Sequence, residues 1–244
     1  MSDTETLARG EEQESPLQLG TGRRAFLKTS AAALAFSVVA CGDDDPDPMG
    51  PGPDPDPDPT PSAVDLGTGD VAVLNYALVL ERLEAGFWSE VVSNPYADMP
   101  AAELQVLTEI RDHEIAHRDF LIAALGPDAI GELEFDLSAV DFTSRAAVLG
   151  TGRTFEDLGV AAYNGAGQLL ENVDFLLVAG KIVSVEARHA SVVRDLLQPG
   201  TTHFAGNDVV DENGLDGAMT PQQVLTAADA FIVTELNTSG LPTS

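Results

Sequence analysis

Apolar residues recur every three or four positions in four long stretches of the chain, the spacing that places them on one face of an α-helix. The first stretch runs from Asp70 to about Ser93, and the second from Pro100 to Gly126. The third runs from Thr154, its predicted N-cap, to about Val173, and the fourth covers Asp174 to Leu197. A shorter pattern that starts at Pro221 predicts a fifth helix.

Between the second and third stretches, residues 127–152 contain the Gly, Pro, Asp and Ser residues that are typical of turns. We predict a long crossover with short turns in this segment. Hairpin turns and strand-like alternation of apolar and polar residues are scarce along the chain. The predicted fold class is therefore all-α.

Two of the predicted helices carry the same pair of polar residues within an apolar face. The second helix contains Glu114 and His117, and the fourth contains Glu186 and His189, so each has the order Glu-x-x-His. Residues three positions apart lie on the same side of a helix, about one turn from each other. Both side chains of each pair can therefore reach one metal ion.

The other two long helices repeat as well. Glu81 precedes Trp88 by seven residues, and Glu156 precedes Tyr163 by seven residues. Glu81 comes 33 residues before the first Glu-x-x-His, and Glu156 comes 30 residues before the second. The chain thus contains a twofold repeat of a helical hairpin, and we interpret Trp88 and Tyr163 as core aromatic residues beside the repeated site.

The repeated residues have a chemical explanation. Four carboxylates in the core of a helical bundle are unfavourable unless their charges are compensated. Two divalent cations would neutralise four glutamates, and two histidines would add neutral nitrogen ligands. Carboxylate and imidazole ligands suit iron or manganese, and carboxylates can bridge two metals. A Glu from each of two helices, with Glu-x-x-His from each of the other two, is the ligand set of ferritin-like di-metal bundles.

From about Asp70 to Leu197 the chain resembles the ferritin-like superfamily, particularly the bacterial and plant desiccation-related ferritin-like proteins. The strings LNYALVLERLEAGFW, GVAAYNGAGQLL and VEARHA are similar to helices one, three and four of that family. The resemblance implies a four-helix bundle with a long crossover and a short additional C-terminal helix. It also implies two iron or manganese ions, with the ligands Glu81, Glu114, His117, Glu156, Glu186 and His189. Glu114 and Glu186 would bridge the metals, and the other two glutamates would be terminal ligands.

The resemblance implies two kinds of chemistry and leaves a non-enzymatic alternative. One is oxidation of Fe(II) by oxygen or peroxide, and the other is manganese-dependent disproportionation of peroxide. Either activity would protect a cell envelope from oxidants. The alternative is a stress-related structural or interaction module on the same fold, which binds metal weakly or not at all.

A zinc peptidase is a third hypothesis, because His113 to His117 spell HExxH. In that motif both histidines bind zinc and Glu114 is the general base. A zinc peptidase needs a third ligand, and it gives Glu186 and His189 on another helix no role. We interpret His113 as a neighbour of the metal site or a packing residue, because it lies about 100° around the helix from Glu114.

Two of the proposed ligands have alternatives. Glu84 follows Glu81 by three residues and could share its face, but Glu81 keeps the seven-residue spacing to an aromatic residue. Glu156 is expected near a helix N-terminus, where a glutamate often only complements the helix dipole. Glu171 could replace it, although it adjoins the next loop and breaks the repeat.

The beginning of the chain has the features of an export signal. Arg23 and Arg24 precede Ala-Phe-Leu-Lys, which is similar to the twin-arginine motif, although Gly22 stands where Ser or Thr is usual. The apolar run 31–40 then leads into Val-Val-Ala-Cys, which is similar to a bacterial lipobox ending at Cys41. We expect an exported protein of the cell envelope, anchored to a membrane by acyl chains on Cys41.

The expected organisation has three parts: a signal peptide at 1–40, a tether at 41–62 and a ferritin-like domain at 63–244. Within the tether, residues 43–62 hold seven aspartates and eight prolines. Proline removes amide donors and the aspartates repel one another, so an extended spacer is predicted.

Charge and cysteine content exclude other classes. The chain has 12 Lys+Arg and 40 Asp+Glu, a formal net charge of −28. Such a protein repels phosphate backbones, so nucleic acid is not an expected partner. The single cysteine excludes an intramolecular disulfide framework and a Cys-rich metal site.

Replacing Cys41 tests the predicted anchor. We expect Cys41→Ser to release the protein from membranes, because serine cannot carry the thioether-linked lipid, and membrane fractionation measures this. Replacing Arg23 and Arg24 together by Lys should separately block export. Unchanged membrane partitioning of Cys41→Ser would contradict the anchor.

Overall fold

The computed structural model describes residues 62–243. The predicted export signal, Cys41 and almost all of the predicted tether lie outside these residues. No helix within 62–243 is both long enough and apolar enough to cross a membrane.

Five α-helices dominate the described part of the chain, and the predicted all-α fold class is confirmed. The α-helices are α1 (Gly69–Ser93), α2 (Ala101–Leu125), α3 (Arg145–Gly167), α4 (Val173–Leu197) and α5 (Pro221–Ala228). The two-residue strands β1 (Val64–Asp65) and β2 (Leu236–Asn237) pair in parallel. Short 3₁₀ helices lie at Gly126–Asp128, Thr202–Ala205 and Asp229–Phe231.

The four long helices form two hairpins. α1 packs along α2, α3 packs along α4, and α1 also contacts α3. Residues 126–144 connect the hairpins as the long crossover, and α5 packs on α3. This is the predicted four-helix bundle with a crossover and a short additional helix.

The first turn of α3 differs from the prediction. Helix α3 begins at Arg145, after Ser144, whose side chain accepts a hydrogen bond from the backbone N–H of Ala147. Thr154 as an N-cap is therefore wrong, and residues 145–152 belong to the helix rather than to the crossover. α3 also ends earlier than predicted, at Gly167. As a consequence, Glu156 lies about three turns inside the helix instead of in its first turn.

Packing explains why Gly152, a residue typical of loops, lies within helix α3. A Cβ at Gly152 would overlap the indole ring of Trp88, so only glycine lets α3 lie against this ring. The ring of Trp88 is fully buried and packs edge-on against Phe87 with 4.9 Å between centroids. Close contact between α1 and α3 therefore outweighs the low helix propensity of glycine.

Helix α1 is buried around nearly its whole circumference. Its buried residues include charged side chains among the apolar ones, namely Glu81, Arg82 and Glu84. Arg82 donates to the backbone oxygen of Ile130 at 3.2 Å and pairs with Glu132 at 2.8 Å, both in the crossover. Within residues 62–243 the two glutamates have no such exposed partner, and they face the centre of the bundle, where the candidate site lies.

Candidate metal centre

The four long helices bring the six proposed ligands together at the centre of the bundle. They are Glu81 on α1, Glu114 and His117 on α2, Glu156 on α3, and Glu186 and His189 on α4. The four glutamates have no exposed surface. The side chains of His117 and His189 are 12% and 5% exposed. The twofold repeat in the sequence thus forms one buried cluster.

The cluster consists of two groups that share residues. The first group is Glu81, Glu114, His117 and Glu186, and the second is Glu114, Glu156, Glu186 and His189. Within each group the ligand atoms lie within 4.8 Å of one another. Glu114 and Glu186 belong to both groups, which is the arrangement required of two bridging carboxylates.

His117 marks the first group. Its Nδ1 atom lies 2.9 Å from Oε1 of Glu186, 3.4 Å from Oε2 of Glu81 and 3.6 Å from Oε2 of Glu114. All three contacts use the same ring nitrogen. A nitrogen ligand and three carboxylates therefore face one small space.

His189 marks the second group in the same way. Its Nδ1 atom lies 2.6 Å from Oε1 of Glu114 and 3.3 Å from Oε2 of Glu156. Its other nitrogen, Nε2, is 2.9 Å from Nδ1 of His113, and the two rings are nearly parallel. His113 thus holds the ring of His189 with Nδ1 toward the carboxylates, the supporting role that outer residues play at metal sites.

This position of His113 does not match a zinc peptidase. His113 contacts His189 and is not part of either ligand group within residues 62–243, whereas His117 faces Glu81 and Glu186. The geometry therefore favours the interpretation of His113 as a neighbour of the site. The alternative ligand Glu171 is exposed beyond the end of α3 and lies in neither group.

Two aromatic side chains connect the hairpins at the site. Trp88 on α1 donates its indole N–H to Oε1 of Glu156 on α3 at 2.6 Å. Tyr163 on α3 donates its hydroxyl to Oε1 of Glu81 on α1 at 2.5 Å. Glu81 and Glu156 are therefore each oriented by a side chain of the opposite hairpin. Sequence reasoning missed these bonds, although the shared spacing of seven residues was their signal.

In the described part of the chain, eight further polar atoms of the cluster make no hydrogen bond of good geometry, although the two histidine nitrogens among them lie close to carboxylate oxygens. They are Oε2 of Glu81, both carboxylate oxygens of Glu114, Oε2 of Glu156, both carboxylate oxygens of Glu186, and Nδ1 of His117 and of His189. Unpartnered buried polar atoms are rare and costly. These oxygens and nitrogens converge within the two ligand groups and include the atom types that iron and manganese bind, so the residues fit a pair of metal ions.

Without metal, protons compensate the buried charges. Burial raises the pKa of Glu81, Glu156 and Glu186 to about 8 each. Burial opposes protonation of His117, but its contacts with Glu114, Glu186 and Glu81 raise its pKa to about 12.

Glu114 and His189 shift each other's pKa values. Burial lowers the basicity of His189, but its contacts with Glu114 and Glu156 outweigh this and raise its pKa to about 10. Burial would raise the pKa of Glu114, but its contacts with both histidines lower it to about 2. The metal-free cluster therefore holds protons where cations would bind.

Comparison with known proteins gives the family of the fold. Residues 69–199, more than half of the 244 residues, match the model of the ferritin-like domain. The chain belongs to the ferritin-like family. The matched segment contains α1 to α4 and all six candidate ligands of this ferritin-like protein. A search of curated proteins finds no match to the chain.

The raised pKa values of the buried glutamates and histidines predict how the stability of the metal-free ferritin-like protein depends on pH. Glu81, Glu156 and Glu186 would release protons near their ordinary pKa of 4.5 when unfolded, but only near 8 when folded. The folded state therefore binds more protons in this range, so stability falls as pH rises from about 5 to about 8. The histidines extend the fall toward pH 10, because their folded pKa values are also raised.

Thermal unfolding of the metal-free protein at pH 5 to 9 measures this fall. Glu114 acts in the opposite direction only below pH 4.5, because its pKa is lowered. Glu186→Gln should lessen the fall, since glutamine has no proton to release. A melting temperature that stays constant or rises between pH 6 and 9 would contradict the proton-held cluster.

Proposed function

We propose that this protein is an exported, lipid-anchored ferritin-like protein that binds two iron or manganese ions and uses them on oxygen or peroxide. The observation that carries the proposal is that Glu114 and Glu186 belong to both ligand groups. Shared carboxylates hold two ions close to each other. They are not needed for a single metal or for packing.

The chain offers each ion one nitrogen ligand and one terminal carboxylate. His117 and Glu81 would hold one ion, His189 and Glu156 would hold the other, and the two shared glutamates would contact both. Bound iron or manganese would supply the oxidation-state change that reduction of oxygen or disproportionation of peroxide requires.

The other residues of the site position these ligands and exclude water. Trp88 and Tyr163 each occupy one oxygen of a terminal glutamate, which leaves the second oxygen, Oε2, free for a metal. The four carboxylates balance the charge of two divalent ions. Full burial of the glutamates keeps solvent away from the reacting centre.

The cellular setting completes the proposal. Twin-arginine export carries folded cargo in the systems that this signal resembles, which suits a cofactor loaded in the cytoplasm. A lipid on Cys41 would keep the domain at the envelope, where it would remove oxidants. The similarity to desiccation-related proteins supports a role in stress protection.

One observation favours the non-enzymatic alternative. His117 lies 2.9 Å from Glu186, and His189 lies 2.6 Å from Glu114, so protonated histidines compensate part of the buried charge without metal. A structural or interaction module with this core would fold and persist in the metal-free form. Metal content separates the two functions.

We expect the full-length protein, supplied with Fe(II) without oxygen or with Mn(II), to bind close to two ions per chain. His117→Ala and His189→Ala should each lower the content toward one ion, because each removes the nitrogen ligand of one group. Elemental analysis after desalting measures this. His203→Ala is the matched control, since His203 lies in neither group.

Two other outcomes would contradict the di-metal proposal. A single zinc ion that His113→Ala abolishes and His189→Ala leaves unchanged would indicate a zinc peptidase. A protein that takes up no metal and melts at the same temperature with and without it would indicate a structural module.

Reactivity is a separate prediction. The iron form should oxidise Fe(II) in air faster than buffer does, or the manganese form should evolve oxygen from peroxide. Glu114→Ala and Glu186→Ala should each impair whichever activity is present, since losing a shared ligand disturbs both ions. Stopped-flow absorbance and an oxygen electrode measure these rates. Full occupancy with no activity above that of free ions would exclude the enzymatic function and leave a metal-stabilised fold.

A further inference from the structure

Glu84 is a buried carboxylate that the two ligand groups do not include. It lies on α1, three residues after Glu81, and it is 3% exposed. The glutamates of the groups each lie within 3.6 Å of a histidine nitrogen. Glu84 makes no such contact in the described part of the chain. Its burial needs another explanation, because an isolated carboxylate in a protein core is strongly unfavourable.

The position of Gly159 shows where the carboxylate of Glu84 lies. A Cβ built on Gly159 would be 2.9 Å from Oε1 of Glu84 and 3.1 Å from Oε2 of Glu186. The two oxygens therefore border the same point on α3. Glu186 is shared by both ligand groups, so Glu84 reaches the edge of the metal centre.

This arrangement breaks the twofold repeat. Gly159 follows Glu156 by three residues, as Glu84 follows Glu81. One hairpin thus has a carboxylate at this position, and the other has the residue that leaves room for it. A side chain at Gly159 would occupy the space that Glu84 uses.

The charges around Glu84 are of the same sign as its own. Burial raises its pKa well above the ordinary range, and Glu186, Glu114, Glu156 and Glu81 raise it further. A cation bound in the ligand groups would instead attract the carboxylate of Glu84 and favour its ionised form. Glu84 is therefore placed to interact with the cations that the other four carboxylates attract.

We propose that Glu84 is a seventh protein ligand of the metal pair, held beside Gly159. This rests on the proposed function, since it requires the pair to bind. Four carboxylates balance two divalent ions, and a fifth adds one negative charge. A fifth carboxylate would favour the oxidised form of the pair over the reduced form, because oxidation by oxygen or peroxide would raise the positive charge of the two ions. Glu84 therefore stabilises the oxidised pair.

Two substitutions test the interaction from opposite sides. Glu84→Gln keeps the size of the side chain and removes its charge. Gly159→Ala keeps Glu84 but displaces its carboxylate, which can move because it is the free end of a flexible side chain. Glu90→Gln is the control for the first, as an exposed glutamate on α1. Gly150→Ala is the control for the second, because nothing lies within 4 Å of its Cβ position on α3.

The measurements are cobalt(II) affinity by titration, the visible spectrum of bound cobalt(II), and the midpoint potential of the iron-loaded protein. Glu84→Gln and Gly159→Ala should each weaken binding by about tenfold or more, the size of effect seen when metal-site residues outside the main ligand set are changed. Both should alter the cobalt spectrum and raise the midpoint potential. Glu90→Gln and Gly150→Ala should match the wild type in all three.

Stability of the metal-free proteins excludes misfolding as the cause. Metal-free Glu84→Gln should melt close to the wild-type temperature, because the raised pKa of Glu84 keeps this buried side chain uncharged without metal, and glutamine has nearly the same size.

Wild-type values for a doubly loaded Glu84→Gln would overturn this inference and leave the proposed function intact. An effect of Gly159→Ala alone would also overturn it, because the change would then act through Glu186. A wild-type protein that binds no metal pair would overturn the proposed function and this inference together.

Discussion

The burial of glutamate side chains at the centre of a helical bundle is the constraint on which the rest of this structure depends. Carboxylates removed from water must be compensated by protons, cations or hydrogen-bond donors, or the fold is lost. Here one oxygen of Glu156 and one oxygen of Glu81 each accept a hydrogen bond from the opposite hairpin, from Trp88 and Tyr163 respectively. These crossed bonds join α1 to α3, so the same contacts that compensate charge also hold the two hairpins in register.

The helices and the six central residues could be predicted because the sequence displays the constraint directly. Glutamate and histidine are conspicuous within an apolar helical face, and a spacing of three residues directs Glu114 and His117 to one point. The second Glu-x-x-His, at Glu186 and His189, shows from the sequence alone that the first is not a chance occurrence. The buried glutamates and histidines thus indicate which faces of the four helices meet, because a hydrophobic core does not accommodate such side chains without compensation of their charge.

Other features depend on contacts between distant segments, which local patterns do not contain. Gly150 and Gly152 read as a loop, yet they lie in α3, and Gly152 is required there by the ring of Trp88. This error moved Glu156 to a helix terminus and made it resemble a simple dipole charge. The crossed bonds of Trp88 and Tyr163 were hidden for the same reason, because each joins residues in different hairpins.

The repeat is approximate, and its departures have a chemical meaning. At one pair of corresponding positions, His113 supports His189, whereas the equivalent residue on α4 is Val185, which has no polar side chain. At another pair, Glu84 faces Gly159. A symmetric arrangement of ligands would treat two bound ions alike. Because these residues occur on one hairpin only, the two halves of the centre present different surroundings, and the hairpin that contains α1 and α2 supplies both differences.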